Sequence, residues 1–499
     1  MWRREVDHYP TGSRRATNLA IVIVTTMVLY YQLYVAGAVA PQLLADLDMS
    51  FKYFIVLTVI SNLVGAFASL LAGLCDRFGR ANIVVYGLLS TVVLILFAVP
   101  NATTKTEFAA ATVGIGLIEG VILVATPALV RDFTPQVGRA AAMGLWSLGP
   151  IGGSIVVTAL AQSTLPIYHT WQSQYVICGV IGLAVFFLAF FCLRELSGPL
   201  RSQIMVSMQD RALVEARAGG IDVQAAVAAP WKQMLRLNIV VPAFAFSTYM
   251  LLYFAAVSFF TLYLTIVHGF DAAEANGILL WFWLVQAAAL ILTGVVSDRL
   301  GVRKPIALLG GLGTVVTTAI FLTGTTDANA GYIWFVTVVS FLGLFHGIAD
   351  ASWMAAFTET VEQRNPALTA TGLSVWGWTM RMVVAVSTLF LPYVITSVTP
   401  LVEAPKHLAM LEALKKSGTP PTAGLQEKLA EIQQAAAAAP GQWQTWWWIC
   451  LAGQVIFLPS IMFLTGHWSV GRARAAREEH HREAERQLAA SGNLSLPRS

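Results

Sequence analysis

The sequence GLCDRFGR at residues 73–80 is followed, much later in the chain, by the similar sequence GVVSDRLGVRK at residues 294–304. The aspartates of these two copies are 222 residues apart. A second pair, GLWSLG at 144–149 and GLSVWG at 372–377, repeats with an offset of 228 residues. Two matches at nearly the same offset indicate that the chain consists of two related halves.

The composition around these repeats is that of a membrane protein. Of the 499 residues, 57% are hydrophobic and only 12% are charged, and the mean hydropathy is +0.67. Average soluble domains carry roughly 25% charged residues, so the composition argues against a soluble enzyme. Apolar blocks recur at the length of roughly 20 residues that a helix needs to cross a bilayer. We therefore predict an all-α polytopic membrane protein with twelve transmembrane helices in two pseudo-symmetric six-helix halves.

The charges flanking the apolar blocks predict the topology. The blocks, numbered as spans 1 to 12, are predicted at residues 17–42, 52–74, 82–99, 108–130, 140–161, 173–193, 237–262, 275–297, 305–325, 332–357, 368–397 and 445–467. Segments on the side of the termini hold 24 of the 31 Lys and Arg residues. Because basic residues stay on the cytoplasmic side, we expect both termini in the cytoplasm and the protein in the plasma membrane.

The polar segments predict the domain organisation. The cytoplasmic N-terminus is 1–16, the two halves are 17–193 and 237–467, a cytoplasmic linker is 194–236, and the charged cytoplasmic tail is 468–499. Leucines at helical spacing on both sides of a Pro-Pro pair predict an external two-helix cap at 398–443, interpreted as packing rather than binding. The tail is interpreted as a solvated helix, with binding to anionic lipid as the alternative.

The sequence contains few signs of other chemistry. Cys75, Cys178, Cys192 and Cys450 have no CxxC spacing, so we expect neither disulfides nor a metal site. The sequence has no P-loop GxxxxGK[ST], no HExxH and no recognisable nucleophile elbow, which argues against ATP-driven transport and against an enzyme. We expect no cofactor and no nucleic-acid partner.

The repeated loop resembles the motif G-x-x-x-D-R-x-G-R/K of the major facilitator superfamily of secondary transporters. The resemblance covers roughly residues 17–467 and implies alternating access, in which two halves rock around a midplane site. It implies gating roles for the residues of the two motif copies and of the loop after span 4, namely Asp76, Arg77, Gly79, Arg80, Asp298, Arg299, Gly301, Arg303, Arg131, Asp132 and Arg139. The implied latch between the halves pairs Asp76 and Arg77 with Arg131 or Arg139. A static loop salt bridge is the alternative.

Glycines at the start of span 5 have two interpretations. The sequence Gly149-Pro150-Ile-Gly152-Gly153 approaches the antiporter motif of drug-exporting members of this family, but it has one residue too few before the glycine pair. Residues 110–116 of span 4 also lack the arginine that those members carry. The alternative is close packing of helices, which small residues permit in lipid.

Charged side chains inside the spans are the strongest functional candidates, because each costs about 2.5–3.5 kcal/mol near the bilayer centre. They are Glu119 in span 4, Asp350 in span 10 and Arg381 in span 11, with His346 one turn from Asp350. The resemblance implies that spans 1, 4, 7 and 10 line a central cavity. Glu119 is predicted to accept a proton, assisted by Asp350 and His346. Arg381 is predicted either to anchor a substrate carboxylate or to neutralise Asp350.

These expectations define the predicted function. We expect a secondary transporter of a small organic solute, favouring an organic anion, that works by proton-coupled symport. The alternatives are a proton-coupled exporter of drugs or metabolites, and a non-transporting membrane sensor or scaffold on the same fold. The expected partners are a small-molecule substrate, protons and membrane lipid. We expect a monomer, since the family mostly works as monomers.

Overall fold

The computed structural model describes residues 4–68, 78–134, 139–201, 203, 230–327, 330–365, 368–417, 420–475 and 478. Within this part of the chain, twelve helices are long and apolar enough to cross a membrane. In order, spans 1 to 12 are Gly12–Ala38, Phe51–Ala68, Arg80–Ala98, Lys105–Phe133, Gly149–Tyr168, Trp171–Cys192, Leu237–His268, Ala272–Leu300, Lys304–Gly324, Tyr332–Arg364, Thr371–Val394 and Ala423–Phe463. The predicted class, an all-α multi-pass membrane protein, is confirmed.

Shorter elements connect the spans. They are the helices Ala40–Asp46, Arg139–Ser147, Pro230–Met234 and Val398–Lys416, and the strands β1 (Glu5–Val6) and β2 (Glu195–Leu196). Span 3 ends in a π-helical turn and span 12 in a 3-10 turn, which are Leu94–Ala98 and Ile461–Phe463. Span 7 consists of two helical segments, Leu237–Tyr249 and Leu251–His268.

Span 5 begins later than the sequence predicts. In place of one helix from residue 140, the structure has the helix Arg139–Ser147 and then a second helix from Gly149. Pro150 explains the interruption, because proline lacks an amide hydrogen and disfavours a helical conformation in the residue before it.

Span 12 begins much earlier than predicted. The first helix of the predicted cap is Val398–Lys416, and the second is continuous with span 12 as a single helix, Ala423–Ser460. The alanine run 435–439 favours this helix, because alanine has the highest helix propensity, and the helix continues through Pro440 into the membrane span. The sequence predicts that span 12 starts at residue 445 because the apolar run starts there. A hydropathy pattern cannot detect a helical extension made of polar residues.

The two halves, spans 1–6 and spans 7–12, repeat the same packing. In the first half, Gly120 of span 4 lies against the backbone of Gly65 in span 2. In the second half, Gly343 of span 10 lies against the backbone of Phe282 in span 8. In lipid, the hydrophobic effect does not drive helices together, so membrane helices associate through close backbone packing at small residues. The duplication seen in the sequence is therefore a duplication of helix pairs.

One end of the bundle, here called the terminal face, carries the segments next to both chain termini. Strand β1 pairs in parallel with β2, which follows span 6. The buried Arg4 guanidinium donates to Asn82 Oδ1 at 3.1 Å and to the Ala189 carbonyl oxygen at 3.2 Å. The residues before span 1 are thereby fixed to the ends of spans 3 and 6.

At the other end, called the opposite face, the two halves touch. The buried Asn276 amide of span 8 donates to the carbonyl oxygen of Ala38 in span 1 at 2.9 Å. Gly37 lies against the Val257 carbonyl of span 7. The Phe51 amide donates to Thr399 Oγ1 at 3.1 Å, and its ring meets Phe259 edge-on at 5.8 Å between centroids. These contacts close the opposite face.

The terminal face carries ion pairs, which are described with the site below. Ser374, Trp378 and Arg381 share one face of span 11 and are exposed, Trp378 to 66%. Arg381 lies within electrostatic range of Tyr30 in the other half, and we call the region between the halves beside these two residues the central cavity.

Gly37 provides a test of the closure at the opposite face. A Cβ atom there would overlap the Val257 carbonyl oxygen, so Gly37→Val should hold spans 1 and 7 apart. Spin labels at Asn101 and Thr326, exposed on the opposite face of each half, should then show a longer mean distance by pulsed electron resonance. Gly294→Val is the control, because that helical glycine has open space. An unchanged distance in Gly37→Val would contradict the assigned contact.

Candidate functional site

Glu119 occupies the interior of the first half. Its residue is 1% exposed, and within the described residues neither carboxylate oxygen has a hydrogen-bond partner. Tyr30 and Tyr34 of span 1 and Cys178 of span 6 are the titratable groups within electrostatic range of it. No ion pair is recorded for this carboxylate in the described part of the chain. An unsatisfied buried carboxylate is a feature that calls for a ligand or a functional explanation.

Arg381 approaches the same region from the second half. Its side chain is exposed, and it forms no ion pair with any described residue. Tyr30 lies within electrostatic range of both Arg381 and Glu119. One tyrosine of span 1 is therefore near a charged group of each half. The alternative prediction is that Arg381 neutralises Asp350. No ion pair joins these two residues in the described part of the chain.

His346 and Asp350 occupy the interior of the second half. His346 is fully buried, its Nδ1 lies 3.2 Å from Gln286 Nε2, and its ring stacks on Tyr249 at 4.8 Å between centroids. Its Nε2 has no hydrogen-bond partner among the described residues. Asp350 is half-buried, within electrostatic range of Tyr249 and Tyr253 of span 7. The sequence correctly placed both residues on span 10, but it did not indicate Gln286.

Two tyrosines, one from each half, lie beside these groups. Tyr34 of span 1 and Tyr253 of span 7 are within electrostatic range of one another. The Tyr34 ring lies 5.6 Å from that of Tyr30, and the Tyr253 ring lies 5.8 Å from that of His346. Sequence reasoning did not identify Tyr253. Its spacing of four residues from Tyr249 was the available signal, since it places both rings on one helix face.

The span 5 glycines lie against span 1. A Cβ atom on Gly152 would come within 2.9 Å of Met27, and one on Gly153 within 2.8 Å of the Tyr31 amide nitrogen. These contacts position the tyrosines of span 1. The contacts agree with the interpretation that these glycines allow close packing of helices.

On the terminal face, the described part of the first motif copy forms an ion cluster within its own half. Arg80 pairs with Asp132 at 2.7 Å, and Asp132 also lies 3.4 Å from Arg201. The Glu195 carboxylate accepts from the Arg80 amide at 2.7 Å and pairs with Arg201 at 3.3 Å. Gly79 has a φ of +91°, which favours glycine, and a Cβ there would overlap the Glu195 carboxylate.

Sequence reasoning missed Glu195 and Arg201, which the fold of the linker brings to the motif. Burial is the main cause that raises the pKa of Glu195, against hydrogen bonds from the Arg80 and Ala81 amides that lower it. Asp76 and Arg77 lie outside the described residues, as does the side chain of Arg139. The predicted latch thus stays a prediction.

The second motif copy repeats the arrangement in the other half. Arg303 pairs with Asp298 at 2.6 Å and with Glu359 of span 10 at 3.0 Å. Gly301 ends span 8 in the left-handed region with a φ of +69°. Arg299 and, in the first half, Arg131 are exposed. The ion pairs described here join motif residues to their own half or to Arg201 of the linker.

Comparison with known proteins agrees with this architecture. Residues 22–392 match the sequence profile of the Major Facilitator Superfamily. The chain belongs to the major facilitator superfamily. As a member of this superfamily it is a secondary transporter rather than an enzyme. No curated protein matches it in sequence.

Solved structures of major facilitator superfamily transporters share the fold. A bacterial homologue of the human lysosomal transporter Spinster, inward-facing and unoccupied, is 15% identical with a TM-score of 0.63, covering 91% of this chain and 98% of that chain. The D-xylose-proton symporter is 13% identical with a TM-score of 0.57, covering 76% and 89%. The E. coli xylose transporter XylE, partially occluded and inward open, is 12% identical with a TM-score of 0.57, covering 76% and 92%.

Glu195 provides a test of the terminal-face cluster. Glu195→Ala removes the acceptor of the Arg80 and Ala81 amides, which should lower the free energy of unfolding by about 1–3 kcal/mol. Because the folded state raises the pKa of Glu195, the stabilisation by its side chain should be greatest at acidic pH and decrease as the pH rises. Thermal unfolding in detergent measures this. Asp7→Ala, at an exposed position just after β1, is the control, and equal effects would contradict the cluster's role.

Proposed function

We propose that this transporter is a proton-coupled symporter of organic anions. The observation that carries the proposal is that Tyr30 lies within electrostatic range of two charged groups that have no partner among the described residues, the buried carboxylate of Glu119 and the exposed cation of Arg381. A proton and an anion are the ligands that these two groups need. If both ligands bind in one cavity between the halves, the same conformational change moves both of them.

Glu119 is the proposed proton site. An ionised carboxylate without a partner is costly in a buried, low-dielectric environment, and a bound proton removes that cost. Cys178 and two tyrosines surround it, all neutral in their ordinary forms. The carboxylate therefore has no structural cation to stabilise its charge within the described residues. Asp350 with His346 is the proposed second protonation site, in the other half.

Arg381 is the proposed anion site. A guanidinium binds a carboxylate through two parallel hydrogen bonds, which gives both energy and orientation. The exposed position of Arg381 on the cavity face of span 11 leaves this group free for a substrate. Tyr30 and Trp378 on either side provide rings against which the organic part of a solute can pack.

The remaining assignments concern the membrane. We propose that the terminal face is cytoplasmic, because the Lys and Arg residues concentrate on that side, and that the protein lies in the plasma membrane. The contacts between the halves at the opposite face would then lie on the outer side of the membrane. We propose that it works as a monomer, with lipid headgroups contacting the basic termini.

Glu119→Gln tests the proton site. The substitution keeps the shape but cannot bind or release a proton, so substrate-driven acidification of proteoliposomes should fall at least about tenfold. A pH-sensitive dye inside the vesicles measures it, with organic acids and cationic drugs added in turn. Glu412→Gln, on the exposed helix before span 12, is the control. Full acidification by Glu119→Gln would refute the proton site, and proton movement in the reverse direction with cationic drugs would favour the exporter.

Arg381 variants test the anion site. Loss of a charged hydrogen bond costs about 1.5–3 kcal/mol, so Arg381→Gln should raise the substrate KM about ten- to hundredfold. Arg381→Lys should recover part of the loss, since it keeps the charge without the planar fork. Because Arg381 makes no ion pair with described residues, neither variant should lower the thermal unfolding temperature. Unfolding of Arg381→Gln would instead assign it a structural role.

A further inference from the structure

We propose that the cap at residues 398–443 is a gate that the second half provides for the opposite face. Residues of the cap hold the first turn of span 2, which belongs to the first half, and the opposite face opens only when that turn is released. The cap consists of the helix Val398–Lys416 and the polar first part of the helix Ala423–Ser460. This role depends on neither the proposed proton site nor the proposed anion site.

The cap breaks the symmetry between the two halves. In the first half, only His169 and Thr170 separate spans 5 and 6. The corresponding connection in the second half, from span 11 to span 12, contains the whole helix Val398–Lys416 and the polar extension of span 12. The duplication of the six-helix unit therefore does not account for the cap, and its contacts act on the opposite face alone.

A hydroxyl group of the cap serves as a helix cap for the other half. Phe51 begins span 2, and the first amides of a helix have no acceptor within that helix. Ser50 Oγ accepts from the Tyr53 amide at 3.2 Å, and Thr399 Oγ1, from the second half, accepts from the Phe51 amide at 3.1 Å. Separation of the halves at this face leaves the Phe51 amide without its acceptor.

The side chains at the start of span 2 lie against rings of the second half. The Phe51 residue is 2% exposed, and its ring lies 5.8 Å from that of Phe259 in span 7 and 6.5 Å from that of Trp443. The next residue, Lys52, places its Nζ 5.1 Å from the centre of the Tyr393 ring at the end of span 11. Opening of this face removes these ring contacts and exposes the apolar surface of Phe51.

The base of the cap is fixed to its own half. Gln442 Oε1 accepts from the amides of Thr396 and Ser397, both at 3.0 Å, and Gln442 Nε2 donates to Thr396 Oγ1 at 3.0 Å. The Trp443 ring lies 5.2 Å from the ring of Tyr263 in span 7. The cap therefore moves with the second half, and its contacts with span 2 break when the halves separate at this face.

Thr399→Val tests the gate. Valine has nearly the shape of threonine but accepts no hydrogen bond, so the closed state loses one bond between the halves. Spin labels at Asn101 and Thr326 report the distance across the opposite face by pulsed electron resonance, in the full chain without substrate. The ratio of the long-distance to the short-distance population should rise about two- to tenfold, the range for one hydrogen bond. Thr399→Ser keeps the hydroxyl group and should match the unmodified chain.

Thr445→Val is the matched control. The exposed Thr445 hydroxyl donates to the Gly441 carbonyl oxygen of its own helix at 2.9 Å, so its loss should leave the ratio unchanged. Phe51→Ala removes the ring contacts and should raise the ratio at least as far as Thr399→Val does. An unchanged ratio in Thr399→Val would overturn the gate, even if Phe51→Ala fails to fold. An equal rise in Thr399→Val and Thr399→Ser, or in Thr445→Val, would overturn it as well, because the bond to Phe51 would not be the cause.

Discussion

The close approach of spans 1 and 7 at the opposite face is the constraint on which the rest of the structure depends. Gly37 lets the two backbones meet at the Val257 carbonyl, and Asn276 fixes span 8 to the end of span 1. The two halves are thus joined at the opposite face by direct contacts between spans 1, 7 and 8.

The second constraint is the cost of charge inside the bundle. On the terminal face, Arg80 pairs with Asp132 in the first half and Arg303 pairs with Asp298 in the second. Glu119 is 1% exposed, and its carboxylate has no hydrogen-bond partner among the described residues. This contrast is the reason that Glu119 is proposed above as a site for an exchangeable ligand.

Several features were predictable because they depend on local composition. The spans follow from apolar runs, the two halves follow from the repeated GLCDRFGR and GVVSDRLGVRK motifs, and Glu119 and Arg381 were conspicuous as rare charges in apolar segments. The boundaries of spans 5 and 12 were wrong. Pro150 breaks one helix, and a polar alanine-rich helix extends the other, neither of which hydropathy detects.

The sequence by itself determined the membrane class, the duplicated architecture and the interior position of the functional candidates, because burial of apolar helices and the cost of intramembrane charge are local energies. Only the tertiary structure decided which groups meet. It brought Glu195 from the linker to Arg80, and Asn276 to Ala38 across the halves. Among the described residues, no ion pair joins Arg381 to Asp350. The two contacts are between residues far apart in the chain, and helix packing sets them.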